Sequence, residues 1–214
     1  MTPQAMLDSG LTELAVELPP DGREKLLQFC KLLQKWNRTY NLTAIRDPMK
    51  MVSHHLLDSL AVLPHLPPPQ GGRLADVGSG GGLPGIPLAI ARPQWAVTLN
   101  DSNRKKTTFL RQAAIELELG NIAVESERAE NWHPDEPFDT VISRGLADLS
   151  DFISACSHLV AKGGVLVAMK GVYPNEEIAR APAAARCDEV LRVEVPFLDA
   201  ERHLVFCRPE SSSQ

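Results

Sequence analysis

The residues best suited to chemistry in this 214-residue chain lie in one run, Asp76-Val77-Gly78-Ser79-Gly80-Gly81-Gly82-Leu83-Pro84-Gly85. An acid followed by closely spaced glycines lets the backbone approach a ligand without interference from side chains. Three further groups are candidates to complete a site: Asn100-Asp101-Ser102, Glu127-Arg128-Ala129-Glu130 and Ser143-Arg144-Gly145. The glycine run argues against two common ligand classes. A dinucleotide fingerprint begun at Gly78 puts the bulky Leu83 where glycine or alanine is required. A phosphate-binding P-loop needs a lysine after its last glycine, and none follows Gly85. Asp101 is of the right type to accept hydrogen bonds from both hydroxyls of a ribose, a role dehydrogenases also use. Taken singly, each acid reads as a solvated carboxylate or a helix cap. Three acids after three successive strands, with glycines after the first, read as a site.

The elements that must position these groups follow from periodicity. Strands are expected at 73–77, 96–99, 122–124, 138–143 and 165–169, with helices after the glycine run and at 104–119 and 149–160. This alternation predicts an α/β fold with a doubly wound, mostly parallel sheet. Two late strands, at 191–195 and 203–207, are placed to close it as an antiparallel pair. Before residue 67 the texture is helical. Asp21-Gly22-Arg23-Glu24 has capping-box spacing, and Leu26, Cys30, Leu33 and Asn37 follow at helical steps. Asp47-Pro48 opens another helix with an apolar stripe of Val52, Leu56, Leu60 and Leu63. A weaker helix is expected at 7–18. Pro67-Pro68-Pro69-Gln70-Gly71-Gly72 reads as a linker. The division is therefore a helical extension at 1–66 packed on a core at 73–208, with a disordered tail at 209–214.

Composition narrows the setting. With 43% hydrophobic and 23% charged residues, the chain can bury a core without covalent staples. Cys30, Cys156, Cys187 and Cys207 form no C-x-x-C pair, so reduced thiols are expected and a zinc site or disulfide framework is not. His54 and His55 project from different faces of a helix, which argues against a metal there. No apolar run spans a bilayer, and MTPQAMLDSG lacks a signal-peptide pattern; cytoplasmic localisation without membrane association is expected. A net charge of −5 speaks against non-specific coating of nucleic acid, but not against one local basic face.

An acid followed by G-x-G-x-G resembles the cofactor loop of class I methyltransferases, which bind S-adenosyl-L-methionine, a ligand with a sulfonium and an α-amino group. The resemblance then sharpens. Trp36-Asn37-Arg38-Thr39-Tyr40-Asn41-Leu42-Thr43, Asp47-Pro48, His55-Leu56-Leu57-Asp58-Ser59, Gly82-Leu83-Pro84-Gly85-Ile86-Pro87-Leu88, Ile142-Ser143-Arg144-Gly145, Lys170-Gly171 and Glu201-Arg202-His203-Leu204-Val205 are similar to blocks of the RsmG (GidB) family. That family methylates guanine N7 in the 16S ribosomal RNA of the small subunit. The resemblance covers nearly all of the chain after about residue 20. It implies a Rossmann-like class I methyltransferase core and rRNA or the small ribosomal subunit as partner. It also implies cofactor contacts from Asp76, Gly78, Gly80, Leu83 and Asp101, with Ala129 and Glu130 flanking adenine and Arg144 facing the reaction centre. Gly145-Leu146-Ala147 departs from the R-A-F/V-A run expected after the serine.

The fourth strand offers a chemical check. Amine-methylating enzymes of nucleic acids carry [DN]-P-P-[FYW] there and carbon-methylating ones a Pro-Cys nucleophile; Ser143-Arg144-Gly145 has neither. Guanine N7 has an in-plane lone pair and loses no proton, so it requires neither a base nor a covalent nucleophile. Arg144 is expected near the cofactor carboxylate, a phosphate or guanine O6, with N7 left free. Arg104, Lys105, Lys106 and Arg111 open a helix where cations are not favoured, which makes them candidates for RNA phosphate contact. Lys170, Arg202 and His203, near strand ends, are candidates for the rim. Trp36, Tyr40 and His55 are candidates to stack on bases, Trp36 alternatively for the interface between extension and core. Two other readings stay open: a methyltransferase for protein or small molecules, and a non-catalytic rRNA-binding assembly factor. A monomer is expected.

Overall fold

The computed structural model describes residues 1–66, 72–145, 148–182 and 185–209. The proline cluster, Leu146-Ala147 and residues 210–214 lie outside them, and so do the expectations that rest on those positions.

The described strands are β1 (Arg73–Val77), β2 (Ala96–Asn100), β3 (Ile122–Glu125), β4 (Phe138–Arg144), β5 (Val160–Lys170), β6 (Ala185–Arg192) and β7 (His203–Pro209). They form one sheet in the order β3-β2-β1-β4-β5-β7-β6. The first five are parallel, and β7 runs antiparallel to both β5 and β6. Leu74 through Val77 of β1 are all buried, as a central parallel strand covered on both faces must be. Chain order reverses between β1 and β4, and this switch point is where open α/β sheets bind ligands. β5 begins five residues earlier than the expected 165–169, because the strand runs through Gly163, which takes φ +84°.

Helices α1 (Pro3–Glu13) and α2 (Gly22–Tyr40) begin the chain. The capping box expected at Asp21 does not form. Asp21 is itself helical at φ −93° and ψ −2°, and its carboxylate pairs with Lys25 at 2.8 Å. The helix opened by Pro48 does have its cap, since Asp47 Oδ1 accepts from the N–H groups of Met49 and Lys50, both at 2.9 Å. It runs as α3 (Pro48–Met51), a π-helical turn (Val52–Leu57) and α4 (Asp58–Leu60). Leu7, Leu26, Phe29, Leu56 and Leu60 share one buried cluster with Leu74, Ile86, Leu99 and Phe109. Trp36 stacks on Tyr40 and leans on Phe109, at ring separations of 5.3 and 5.7 Å. The four helices α5 (Gly85–Ala91), α6 (Arg104–Glu116), α7 (Leu149–Cys156) and α8 (Asn175–Ala179) complete the described helical layers. None of the described helices is long and apolar enough to cross a membrane.

The cysteine expectation is corrected. Cys187 and Cys207 form a disulfide between β6 and β7, with Cα atoms 4.1 Å apart. Antiparallel pairing brings them face to face across 20 residues of sequence, which their spacing alone does not reveal. Cys30 and Cys156 remain thiols, each pushed up to about 12 by burial.

Gly85 begins α5 directly against β1. A methyl group there would lie 2.7 Å from Asp76 Oδ2, besides meeting Leu99. In an open helix, glycine to alanine stabilises by roughly 0.5–1 kcal/mol. Gly85→Ala is expected to destabilise instead, by about 1–3 kcal/mol of overpacking, measured by urea unfolding.

Candidate active site

A cavity of about 680 Å³ opens at the carboxyl ends of β1 to β4. Its wall takes Val77 and Gly78 after β1, Asn100 to Ser102 after β2, Glu127 to Glu130 after β3 and Gly145 after β4. Asp151, Ser154 and Ala155 of α7 close the remaining side.

Hydrogen bonds between loops hold this wall. Asp101 Oδ2 accepts from the N–H of Gly80 at 3.0 Å, and Oδ1 accepts from the N–H of Asn103 at 2.8 Å. Gly80 needs φ +56° to present that N–H, a conformation glycine adopts freely. Asn100 donates to the carbonyl of Glu127 at 3.1 Å, joining the second loop to the third. The Ser143 hydroxyl donates to the carbonyl of Val77 at 2.8 Å, joining β4 to β1. Beneath the glycines, Asp76 is fully buried; its Oδ2 accepts from the Gly85 N–H at 2.8 Å, while Oδ1 has no partner among the described residues. Burial pushes the Asp76 carboxyl up to about 7, against the opposing pull of the Gly85 N–H, the Ser79 hydroxyl and the Arg144 charge.

The N-terminal helices reach the same end of the sheet. Asn37 makes two hydrogen bonds to the backbone of Thr43, donating at 2.8 Å and accepting at 2.9 Å, which pins the chain leaving α2. The Thr43 hydroxyl donates to His55 Nε2 at 2.8 Å, and His55 Nδ1 donates to the carbonyl of His54 at 3.0 Å. That tautomer is neutral, and burial, followed by the nearby Arg144, holds its pKa down at about 4. The π-helical turn carries both histidines and delivers Asp58, whose side chain is only 2% exposed. Asp58 Oδ2 accepts from Arg144 Nη1 at 3.0 Å, and Oδ1 from Arg202 Nε at 2.6 Å.

Of the residues singled out from sequence, Gly78, Asp101, Ala129 and Glu130 meet at the cavity. Asp76 and Leu83 lie in the packed interior behind it, and Gly80 contributes its N–H to Asp101. Arg144 stands at the end of β4, turned toward Asp58 and the His54 carbonyl. Arg104 and Lys105 are exposed at the start of α6, whereas Lys106 borders the cavity 3.5 Å from Asp101. Lys170 is paired with Glu177 at 2.6 Å. His203 is buried, donates through Nδ1 to the carbonyl of Gly171 at 2.7 Å and meets the Tyr173 ring edge-on. Among the described residues, no group of three His, Cys, Asp or Glu is arranged to hold a metal.

Asp58 and the α7 wall were missed. Asp58 lies 86 residues from Arg144 and 144 from Arg202, so local spacing carries no signal of their meeting. The α7 residues that face the cavity, Asp151, Ser154 and Ala155, are separated by helical steps, and that pattern was available.

The model of a family described as rRNA small subunit methyltransferase G matches residues 22–205. A ribosomal RNA small subunit methyltransferase G from Chromobacterium violaceum is 56% identical, covering 94% of this chain and 95% of that protein. Its counterpart from Nitrosospira multiformis is 50% identical over 96% of this chain and 97% of that one. Among solved structures, a SAM dependent methyltransferase from Aquifex aeolicus superposes with a TM-score of 0.56 at 20% identity, covering 82% of this chain and 97% of that chain; it shares the fold. With the family pattern running through the cavity loops, the π-helical turn and the strand ends alike, the chain belongs to the rRNA small subunit methyltransferase G family.

Proposed function

We propose that this protein transfers a methyl group from S-adenosyl-L-methionine to N7 of a guanine in 16S ribosomal RNA of the small subunit. The observation that carries the reading is the convergence of Gly78, Asp101, Ala129 and Glu130 on one cavity at the sheet's switch point. A buried carboxylate with one oxygen unpartnered among the described residues, as in Asp76, supports a ligand that brings positive charge. When bound, the cofactor supplies an electrophilic methyl group.

On this reading Asp101 uses its remaining lone pairs for the ribose hydroxyls, and Gly78 leaves room for backbone approach. Ala129 and Glu130 flank the adenine. Gly80 and Leu83 support the loop, with Asp76 beneath it. Ser143 and Arg144 take no proton from the acceptor: the serine's hydrogen is given to Val77, and a guanidinium stays charged. An acceptor that attacks through a lone pair, as N7 does, fits that exit from β4. Catalysis then rests on alignment. Arg104, Lys105, Lys106 and Arg202 are assigned to RNA; Lys170, held by Glu177, and His203, buried against Gly171, support the rim from behind. The same reading treats residues 1–66 as an extension packed on the catalytic core and the enzyme as a cytoplasmic monomer.

The reading is tested by incubating the protein with labelled S-adenosylmethionine and small subunits that lack N7 methylation. One labelled guanine, mapped by cleavage at 7-methylguanine, is the expected result; label only in protein or small molecules would redirect the substrate assignment. Arg144→Ala is expected to slow transfer by about 100-fold, the scale of losing one aligned charged donor, and unchanged turnover would remove Arg144 from the reaction. Cofactor affinity should also follow Asp76. Because its folded pKa lies near 7, above the ordinary 3.8, the proton is retained in the fold below pH 7. Its ionisation costs stability as pH rises toward 7, and the anion then available favours the cationic ligand. Cofactor binding, measured by calorimetry, is expected to weaken by about tenfold per pH unit below 7 and to level off above it. Asp76→Asn should flatten that profile.

A further inference from the structure

The carboxylate of Asp58 holds two arginines that the sheet brings to the same end of the core, on strands separated by β5. Arg144 closes β4, and Arg202 precedes β7. Asp58 occupies one edge of each guanidinium: Nη1 of Arg144 at 3.0 Å and Nε of Arg202 at 2.6 Å. Arg144 Nη1 is fixed a second time by the His54 carbonyl at 3.1 Å, and Arg202 Nη1 by the Glu201 carbonyl at 2.8 Å. Nε and Nη2 of Arg144 and Nη2 of Arg202 have no partner among the described residues. The two arginine side chains are 23% and 25% exposed, so this edge is reachable, while the acid behind them is sealed. One buried negative charge between two positive ones leaves a net cation with aimed donors. Phosphodiesters are bound best by such paired, planar donors.

We propose that Asp58 is a positioning residue that sets Arg144 and Arg202 side by side as a clamp for one phosphate of the substrate RNA. This rests on the rRNA reading above. It has a signature that simple charge does not share. Removing a negative charge from a face that binds a polyanion should tighten binding; removing the group that aims two arginines should weaken it.

The experiment measures binding of a small-subunit rRNA fragment at fixed salt to the wild type, Asp58→Asn, Arg202→Gln and the double variant. Cofactor affinity is measured alongside as the control for folding. Asp58→Asn is expected to weaken RNA binding by about tenfold or more, with cofactor affinity retained. Arg202→Gln should lower the slope of log affinity against log salt by about 0.7–0.9, the loss of one phosphate contact. In the double variant the two losses should not multiply, because they act through one clamp. RNA binding by Asp58→Asn as tight as, or tighter than, the wild type would overturn the proposal, and so would full multiplication of the two effects. If Asp58→Asn loses cofactor binding as well, Arg202→Lys decides. It keeps the charge without the planar fork, so weakening like that of Arg202→Gln supports the clamp and wild-type binding overturns it. A wild-type protein that neither binds nor methylates the fragment would defeat the rRNA reading and the clamp together, whereas failure in the variants alone defeats only the clamp.

Discussion

The structure depends first on a carboxylate that cannot reach water. Asp76 lies in the central strand, and its carboxylate accepts from the backbone N–H of Gly85. A buried charge or polar group without such a partner costs several kcal/mol, so the two ends of the glycine run are tied to one point. The eight residues between Asp76 and Gly85 must then leave β1 and return to it, and their first two, Val77 and Gly78, line the cavity. The same contact explains why this loop cannot serve a dinucleotide. The glycine that permits close packing of helix on strand is Gly85, seven positions after Gly78, and Leu83 turns inward as part of the core. The interval between glycines thus records where the helix begins.

A second buried carboxylate joins the N-terminal helices to the core. Apolar burial alone would let the helical segment slide on the sheet, since packing of leucines is not directional. The ion pairs from Asp58 to Arg144 and Arg202 are directional, and the π-helical turn sets the height at which Asp58 emerges. Breaking one side of a buried pair typically costs about 3–5 kcal/mol, because the other charge remains in the interior. The Asn37–Thr43–His55 chain of hydrogen bonds is neutral and fixes the adjoining segment without adding charge. His55 stays unprotonated there because the arginine beside it and its burial act in the same direction.

Much of this was legible in the chain. β1 runs from Arg73 to Val77 as its apolar run indicates, and the other parallel strands fall within a few residues of their expected limits, because both faces of a parallel sheet need apolar residues. Local rules failed where another contact, near or far in sequence, outbid them. Asp21 has the spacing of a capping box, yet a helical backbone and a lysine one turn away take its carboxylate. The Cys187–Cys207 bond and the Asp58 cluster depend on pairings 20 to 144 residues apart, which periodicity cannot express. Lys170 reads as a candidate rim cation in sequence, but α8 supplies Glu177, which pairs with it.

Net charge is a poor guide to the partner of such a protein, and the distribution along the chain explains why. Residues 26–57 hold five basic side chains, Lys31, Lys35, Arg38, Arg46 and Lys50, against the single acid Asp47. All five are exposed, and Asp47 spends its carboxylate on the cap of α3. Residues 102–115 hold Arg104, Lys105, Lys106 and Arg111 and no acid. The excess acid that brings the whole chain to −5 therefore lies elsewhere. Over a Debye length of about 8 Å, a polyanion responds to the nearest charges and not to the sum. An acidic chain can therefore carry locally basic segments whose field differs in sign from its net charge.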